Sequence, residues 1–248
     1  MISNESASRP CPALARMRIF EMAVLVEICV VGVASAVAAE TGGADRVELC
    51  VEMGVGGLTP GAAEVGEACG RLRIPVQVLI RPRAGDFVYS ADELAEMARS
   101  IDRAKAAGAS GVVLGVNVPS GAVDRQRTAS LVERARPMSV TFHKAFDEWL
   151  DPLAGLEDLI AIGVDRVLTS GRAATAREGL PLLRELVRRS TGRIALMAGG
   201  RVAEADLPAL LGAGINEVHV GSSVTTAGRT DPERVRALVV AVRRMEVP

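Results

Sequence analysis

The sequence predicts a single-domain (β/α)8 barrel of the TIM type, and three observations predict it. Four stretches repeat one pattern: Gly43-Ala44-Asp45-Arg46-Val47-Glu48-Leu49, Gly108-Ala109-Ser110-Gly111-Val112-Val113-Leu114, Gly163-Val164-Asp165-Arg166-Val167-Leu168-Thr169 and Gly214-Ile215-Asn216-Glu217-Val218-His219-Val220. Each reads as the end of a helix, a glycine suited to the left-handed residue that closes it, a short turn and a β run. Eight aliphatic runs alternate with eight helical patterns, with no linker-like stretch between them. The 248 residues match the usual size of one such barrel, and a chain 49% hydrophobic but only 2% aromatic supplies the aliphatic strands that burial on both faces demands.

The β runs lie near 24–29, 46–50, 76–81, 112–117, 139–143, 166–170, 194–199 and 217–221. The helical patterns lie near 33–41, 61–72, 91–107, 124–135, 152–162, 173–190, 203–212 and 231–244. Ser90 followed by Glu93 reads as a capping box, and Asp231-Pro232-Glu233 as a cap with a first-turn proline. A doubly wound open sheet is the competing arrangement. It usually carries G-x-G-x-x-G after the first strand, which this chain lacks, so no nicotinamide or flavin is expected.

Net charge is −1, with no basic run, which argues against nucleic acid and against an anionic membrane surface. Residues 22–39 imitate a signal peptide or a span. However, Glu27 sits inside them, and they divide into a strand (Val24–Cys29) and a small-residue helix starting near Val33. Residues 1–20 carry Ser, Pro and Arg without periodicity and read as a flexible extension before a barrel over 21–248. The cysteines (Cys11, Cys29, Cys50 and Cys69) show no zinc-type spacing, and a reduced cytoplasmic location is expected. Cys11 reads as incidental and Cys69 as helix core.

Side chains alternate along a strand. One parity gathers Val24, Val26, Ile28, Val47, Leu49, Val76, Val78, Ile80, Val112, Leu114, Val140, Phe142, Val167, Leu196, Val218 and Val220 against the helices, with Thr169 the mild exception. The other sends Glu27, Cys29, Glu48, Cys50, Gln77, Arg81, Asn117, Thr141, His143, Ser170, Met197 and His219 into the barrel, mostly near the strand C-termini where barrel enzymes keep their sites. Both histidines of the chain fall in this set.

Glu27, Glu48 and Arg81 come from three adjacent strands. They read either as an acid–base pair split by mutual repulsion or as a self-satisfied Glu–Arg–Glu network. His143 and His219 suit proton transfer or metal ligation, against the plainer role of hydrogen-bonded core. Cys29 and Cys50 read as a soft-ion pair, with copper(I) the obvious candidate, or as two small buried residues. Gly199-Gly200-Arg201 and Gly221-Ser222-Ser223 follow strands seven and eight, where barrels often bind phosphate through backbone amides; the alternative is ordinary turns. Arg83 and Asp86 line the mouth or pair on its rim. Lys144 is assigned away from the cavity by its parity.

At this point the residues resemble a known family, the CutC copper-homeostasis proteins. The blocks are Glu27-Ile28-Cys29, residues 42–50 (GGADRVELC), residues 56–60 (GGLTP), Ile80-Arg81-Pro82-Arg83 with Gly85-Asp86-Phe87 and Tyr89-Ser90, residues 140–147 (VTFHKAFD), residues 166–171 (RVLTSG) and Glu217-Val218-His219. The resemblance runs from about 24 to 223. It implies a cytosolic, often oligomeric TIM-type barrel linked with copper tolerance, with copper(I) held by Cys29 and Cys50. The chain departs from the family pattern at Val31-Gly32, Val88, Arg201 and Gly221, and the last two make its loops more anion-binding. Two functions are therefore expected to compete. One is a copper(I)-binding homeostasis protein. The other is an isomerase- or aldolase-like enzyme for a small anionic or phosphorylated metabolite, with Glu27, Glu48, His143 and His219 moving protons, Arg81 stabilising negative charge and the glycine loops anchoring the anion.

Overall fold

The computed structural model describes residues 23–246. The predicted extension over 1–20, with Cys11, lies outside them. Eight parallel strands close into a barrel: β1 (Leu25–Val31), β2 (Arg46–Cys50), β3 (Val76–Leu79), β4 (Gly111–Leu114), β5 (Ser139–Phe142), β6 (Arg166–Thr169), β7 (Ala195–Ala198) and β8 (Glu217–Val220), with β1 pairing to both β2 and β8. The helices are α1 (Gly32–Thr41), α2 (Ala62–Arg71), α3 (Ala91–Ala106), α4 (Arg125–Ala135), α5 (Pro152–Ile162), α6 (Leu180–Ser190), α7 (Leu207–Leu211) and α8 (Pro232–Glu246). The four repeat glycines, Gly43, Gly108, Gly163 and Gly214, all have φ between 86° and 93°, the left-handed conformation that ends each helix before its strand. Among the described residues no helix is long and apolar enough to cross a membrane.

Alternation sorts the core as the strand pattern demands. Every helix-facing residue predicted above belongs to one large cluster between sheet and helices, Thr169 excepted. A separate small cluster of Cys50, Leu79 and Val113, with Cys29 against it, lies inside the barrel. Ser90 accepts from the Glu93 N–H while the Glu93 carboxylate accepts from the Ser90 N–H, and Asp231 Oδ1 accepts from the Glu233 N–H at 3.0 Å.

Three boundaries differ from the sequence reading. The helix expected over 173–190 begins only at Leu180. Residues 171–179 form a loop pinned where Gly171 and Gly179 meet backbone to backbone, so that a Cβ on Gly179 would stand 1.8 Å from the Ser170 carbonyl oxygen. The fourth β run stops at Leu114, and Asn117–Val118 instead pairs antiparallel with Ala122–Val123. The pattern over 203–212 divides into a single 3-10 turn (Glu204–Asp206) and the short α7.

Candidate functional site

The barrel interior is filled by polar networks. Gln77 and Ser139 are joined by a 3.1 Å hydrogen bond. Arg46 bonds Glu27 on one side and Glu217 on the other, the latter at 2.8 Å, and Arg166 bonds Glu217 and Thr141. All these side chains are at least mostly buried, so two guanidiniums and two carboxylates neutralise one another where isolated charge would be untenable. Burial alone would raise the Glu27 pKa, but Arg46 and His219 hold it down at about 2.

A cavity of about 150 Å3 opens above this network at the C-terminal end of the strands. Cys29 and Glu48 line it from β1 and β2, His219 from β8, and Leu168 from β6; Cys50, Leu79, Arg81, His143 and Lys144 complete much of its wall. His219 Nδ1 stands 2.8 Å from Glu27 and 3.4 Å from Glu48. Burial opposes the charged imidazole, but these two carboxylates outweigh it and raise its pKa. Glu48 moves the other way from Glu27: burial, reinforced by the Glu27 charge, pushes it to about 7 against the pull of His219 and Arg46. A carboxyl poised near neutrality beside an imidazole has the chemistry that proton transfer requires. Cys29 Sγ lies 3.8 Å from Cys50 Sγ, and ligand atoms of Cys29, Glu48 and His219 lie within 4.8 Å of one another. The Cys29 thiol is pushed well up by its hydrogen bond with Cys50, by burial and by the Glu48 charge.

His143 caps the turn Lys144–Glu148, its Nδ1 accepting from the Ala145 N–H at 3.2 Å. Burial, with the Arg81 charge, lowers its pKa to about 3, so the ring is neutral. It packs on Phe87, centroids 4.7 Å apart, and the Arg81 guanidinium lies 5.0 Å from the Phe87 centroid.

The structure thus brings Glu48, Arg81, His143, His219, Cys29 and Cys50 to one cavity and redistributes other expected members. Glu27 does not line it; it lies beneath, between Arg46 and His219. Arg81 does not pair with the glutamates. Its terminal nitrogens donate to the carbonyls of Val55, Gly57 and Gly85, because it stands past the end of β3 and reaches the loop after β2. The buried cation that pairs with Glu27 is Arg46, and its second carboxylate is Glu217 rather than Glu48. It shares the inward parity of Glu48, as Arg166 and Glu217 share that of Ser170 and His219, so the alternation already contained all three. Lys144 corrects the parity assignment: it lines the cavity because the strand ends at Phe142 and alternation ends with it.

Asn117 and Ser170 are buried but lie outside the lining. Asn117 accepts from the Trp149 indole at 2.8 Å and donates to the Ala145 carbonyl, holding the turn that carries His143. Ser170 is tied to Asp147 by its N–H and hydroxyl, both at 2.9 Å. Arg83 pairs on the rim with Asp86 at 3.0 Å and with Glu93 at 2.5 Å. The glycine loops adjoin the cavity without lining it. A Cβ at Gly199 would lie 3.4 Å from His219, one at Gly200 3.6 Å from the Lys144 ammonium, and one at Gly221 3.8 Å from Cys29. Ser223 Oγ donates to the Val202 carbonyl at 2.7 Å and ties the two loops together, while Arg201 and Ser222 are both exposed at the surface.

Comparison with known proteins agrees with this geometry. The profile described as the CutC family matches residues 24–224. The human protein named copper homeostasis protein cutC homolog is 45% identical over 202 residues, covering 81% of this chain and 74% of its own. A CutC family protein of Chromobacterium violaceum is 45% identical over 199 residues, covering 80% of this chain and 81% of its own. The crystal structure of a putative copper homeostasis protein CutC from Streptococcus agalactiae superposes with a TM-score of 0.77 at 30% identity, over 82% of this chain and all of that one. By sequence and by fold alike, the chain belongs to the CutC family.

Proposed function

We propose that this chain serves copper homeostasis in the cytosol by binding copper(I), as cargo, through Cys29 and Cys50. The observation that carries the reading is the thiol pair, 3.8 Å apart at the cavity wall with both cysteines free. Thiolates are soft donors and select copper(I) over harder ions, and the Met53 thioether in the same lining adds a third soft group. The raised Cys29 pKa means that the metal must displace a proton, so binding releases acid and strengthens with rising pH. Titration of copper(I) against a competing chelator tests the reading. The Cys29→Ser/Cys50→Ser protein is expected to lose roughly a hundredfold or more in affinity; unchanged affinity ends the proposal.

The Glu48–His219 pair favours a second reading in the same cavity, an isomerase- or aldolase-like enzyme for a small anionic or phosphorylated metabolite. Glu48 and His219 would exchange the proton, Glu27 would orient His219 from below, and Gly199, Gly200, Arg201, Gly221 and Ser222 would hold an anionic group at the rim. A crystal soaked in phosphate is expected to show an oxyanion at these two loops, and empty loops would count against a phosphorylated substrate.

A further inference from the structure

Strand register gathers a mixed sulfur, oxygen and nitrogen donor set that neither reading above uses as a unit. Glu27 of β1 stands directly opposite His219 of β8, and Cys29 of β1 stands directly opposite Glu48 of β2. Glu27 and Cys29 are two residues apart on one strand and so share its inner face. One donor atom from each of Cys29, Glu48 and His219 lies within 4.8 Å of the other two, and all three side chains line the cavity. Glu48 is only 4% exposed, yet among the described residues its carboxylate makes no hydrogen bond, and its one ion-pair contact is His219 at 3.4 Å. Buried carboxylates ordinarily have hydrogen-bond partners, because desolvation without one is costly. Neither Glu48 oxygen is sealed in protein; both are reachable from the cavity. His219 is held from behind by Glu27, 2.8 Å from Nδ1, while Nε2 has no partner among the described residues and is likewise open. A metal-ligating imidazole is usually fixed in this way, one nitrogen on a carboxylate and the other left for the ion.

The donor chemistry narrows the ion. A thiolate, a carboxylate and a neutral imidazole suit a divalent ion of intermediate softness, zinc above all, whereas copper(I) is selected by sulfur donors. The two anionic donors cancel the charge of such an ion. A tetrahedral zinc centre spaces its ligand atoms about 3.3–3.8 Å apart, so the widest separation here has to close by about 1 Å, a side-chain adjustment. Three protein ligands leave a fourth position, the pattern of catalytic rather than structural zinc. The cavity lining includes the cations Arg81 and Lys144, which suit a water or a small anion as the fourth ligand.

We infer that Cys29, Glu48 and His219 form a three-ligand site for a divalent, zinc-type ion, with the fourth coordination position open to the cavity. The site shares Cys29 with the copper(I) pair, does not use Cys50, and rests on neither reading above. Because Cys29 is common to both, a divalent ion and copper(I) exclude each other.

Cobalt(II) is the probe, because it takes zinc-type geometry and a cobalt–thiolate bond absorbs in the near ultraviolet. The full-length, metal-free protein is expected to show a saturable sulfur-to-cobalt charge-transfer band together with the strong visible bands of a four-coordinate ion. Zinc is expected to displace the cobalt and bleach both. Cys50→Ser is expected to keep the charge-transfer band and Cys29→Ser to lose it. Glu48→Gln and His219→Gln are near-isosteric, and circular dichroism checks their folding. Each is expected to weaken cobalt(II) binding about a hundredfold or more, since losing a ligand costs at least as much as losing an outer partner. The contrast between the two cysteine variants decides the question even where one of these variants misfolds. No charge-transfer band at saturating cobalt(II), a band that requires Cys50, or an unchanged affinity in folded Glu48→Gln or His219→Gln would each overturn the assignment. The experiment contains no copper and the copper reading depends on Cys50, so its failure leaves the thiol-pair reading intact. Conversely, unchanged copper(I) affinity in the Cys29→Ser/Cys50→Ser protein leaves the cobalt result standing.

Discussion

Replacing Arg46 by alanine would leave two buried carboxylates, Glu27 and Glu217, without the guanidinium they share. Removing one partner from such a network typically costs about 3–5 kcal/mol, and urea denaturation of Arg46→Ala is expected to show a loss of that order. His143 sets a pH dependence whose sign follows from its lowered pKa. The unfolded ring takes a proton near 6.5, while the folded ring resists it until about 3. The stabilisation is therefore complete above pH 6.5 and is lost progressively as pH falls toward 3. Between pH 6.5 and 4.5 the wild type is expected to lose on the order of 2 kcal/mol from this group. Denaturation series at the two pH values should show His143→Phe losing less, and identical slopes for the two proteins would refute the assignment. Alternation placed both imidazoles, Glu48 and the thiol pair correctly in one chamber. It was silent on partners: that Arg46 rather than Arg81 meets Glu27 depends on height along the barrel axis, which strand register sets.

Among the elements, α3 and α6 show the two extremes of legibility. The start of α3 is written locally, in Ser90 and Glu93, and the observed cap follows from four consecutive residues. Ser90→Ala is expected to lower stability by about 1 kcal/mol in thermal or urea melts. The start of α6 depends on distant backbone. Residues 173–179 contain good helix formers, yet they stay out of the helix because Gly179 packs on Ser170 and Gly171, while Asp147 binds the N–H groups of Ser170 and Arg172 from another loop. A methyl group on Gly179 meets a carbonyl oxygen that cannot yield. Gly179→Ala is expected to cost about 2 kcal/mol or more and to loosen the neighbouring Lys144–Glu148 turn. Hydrogen exchange at that turn would register the second effect, and native protection there would argue against the coupling.

At the scale of the whole molecule, the closed sheet leaves no barrel strand with a free edge, and the large core between sheet and helices runs around its full circumference, while the small inner cluster is confined to the side of Cys29, Cys50, Leu79 and Val113. Trp149, the one tryptophan, is buried against Phe142 and Phe146. Its fluorescence and the far-ultraviolet circular dichroism are expected to report one coincident unfolding transition; separated midpoints would show that part of the barrel melts alone. The barrel, the facing of each strand and the shared chamber were determined by the sequence alone, because periods of 2 and 3.6 residues and helix-ending glycines act over a few residues at a time. Only the tertiary structure decided which carboxylate Arg46 neutralises, that Glu27 lies beneath the cavity, that Lys144 enters it and that His143 keeps an unpaired donor. Those outcomes depend on strand stagger and on loops folding back across the barrel mouth, where side chains far apart in the chain compete for the same buried partners.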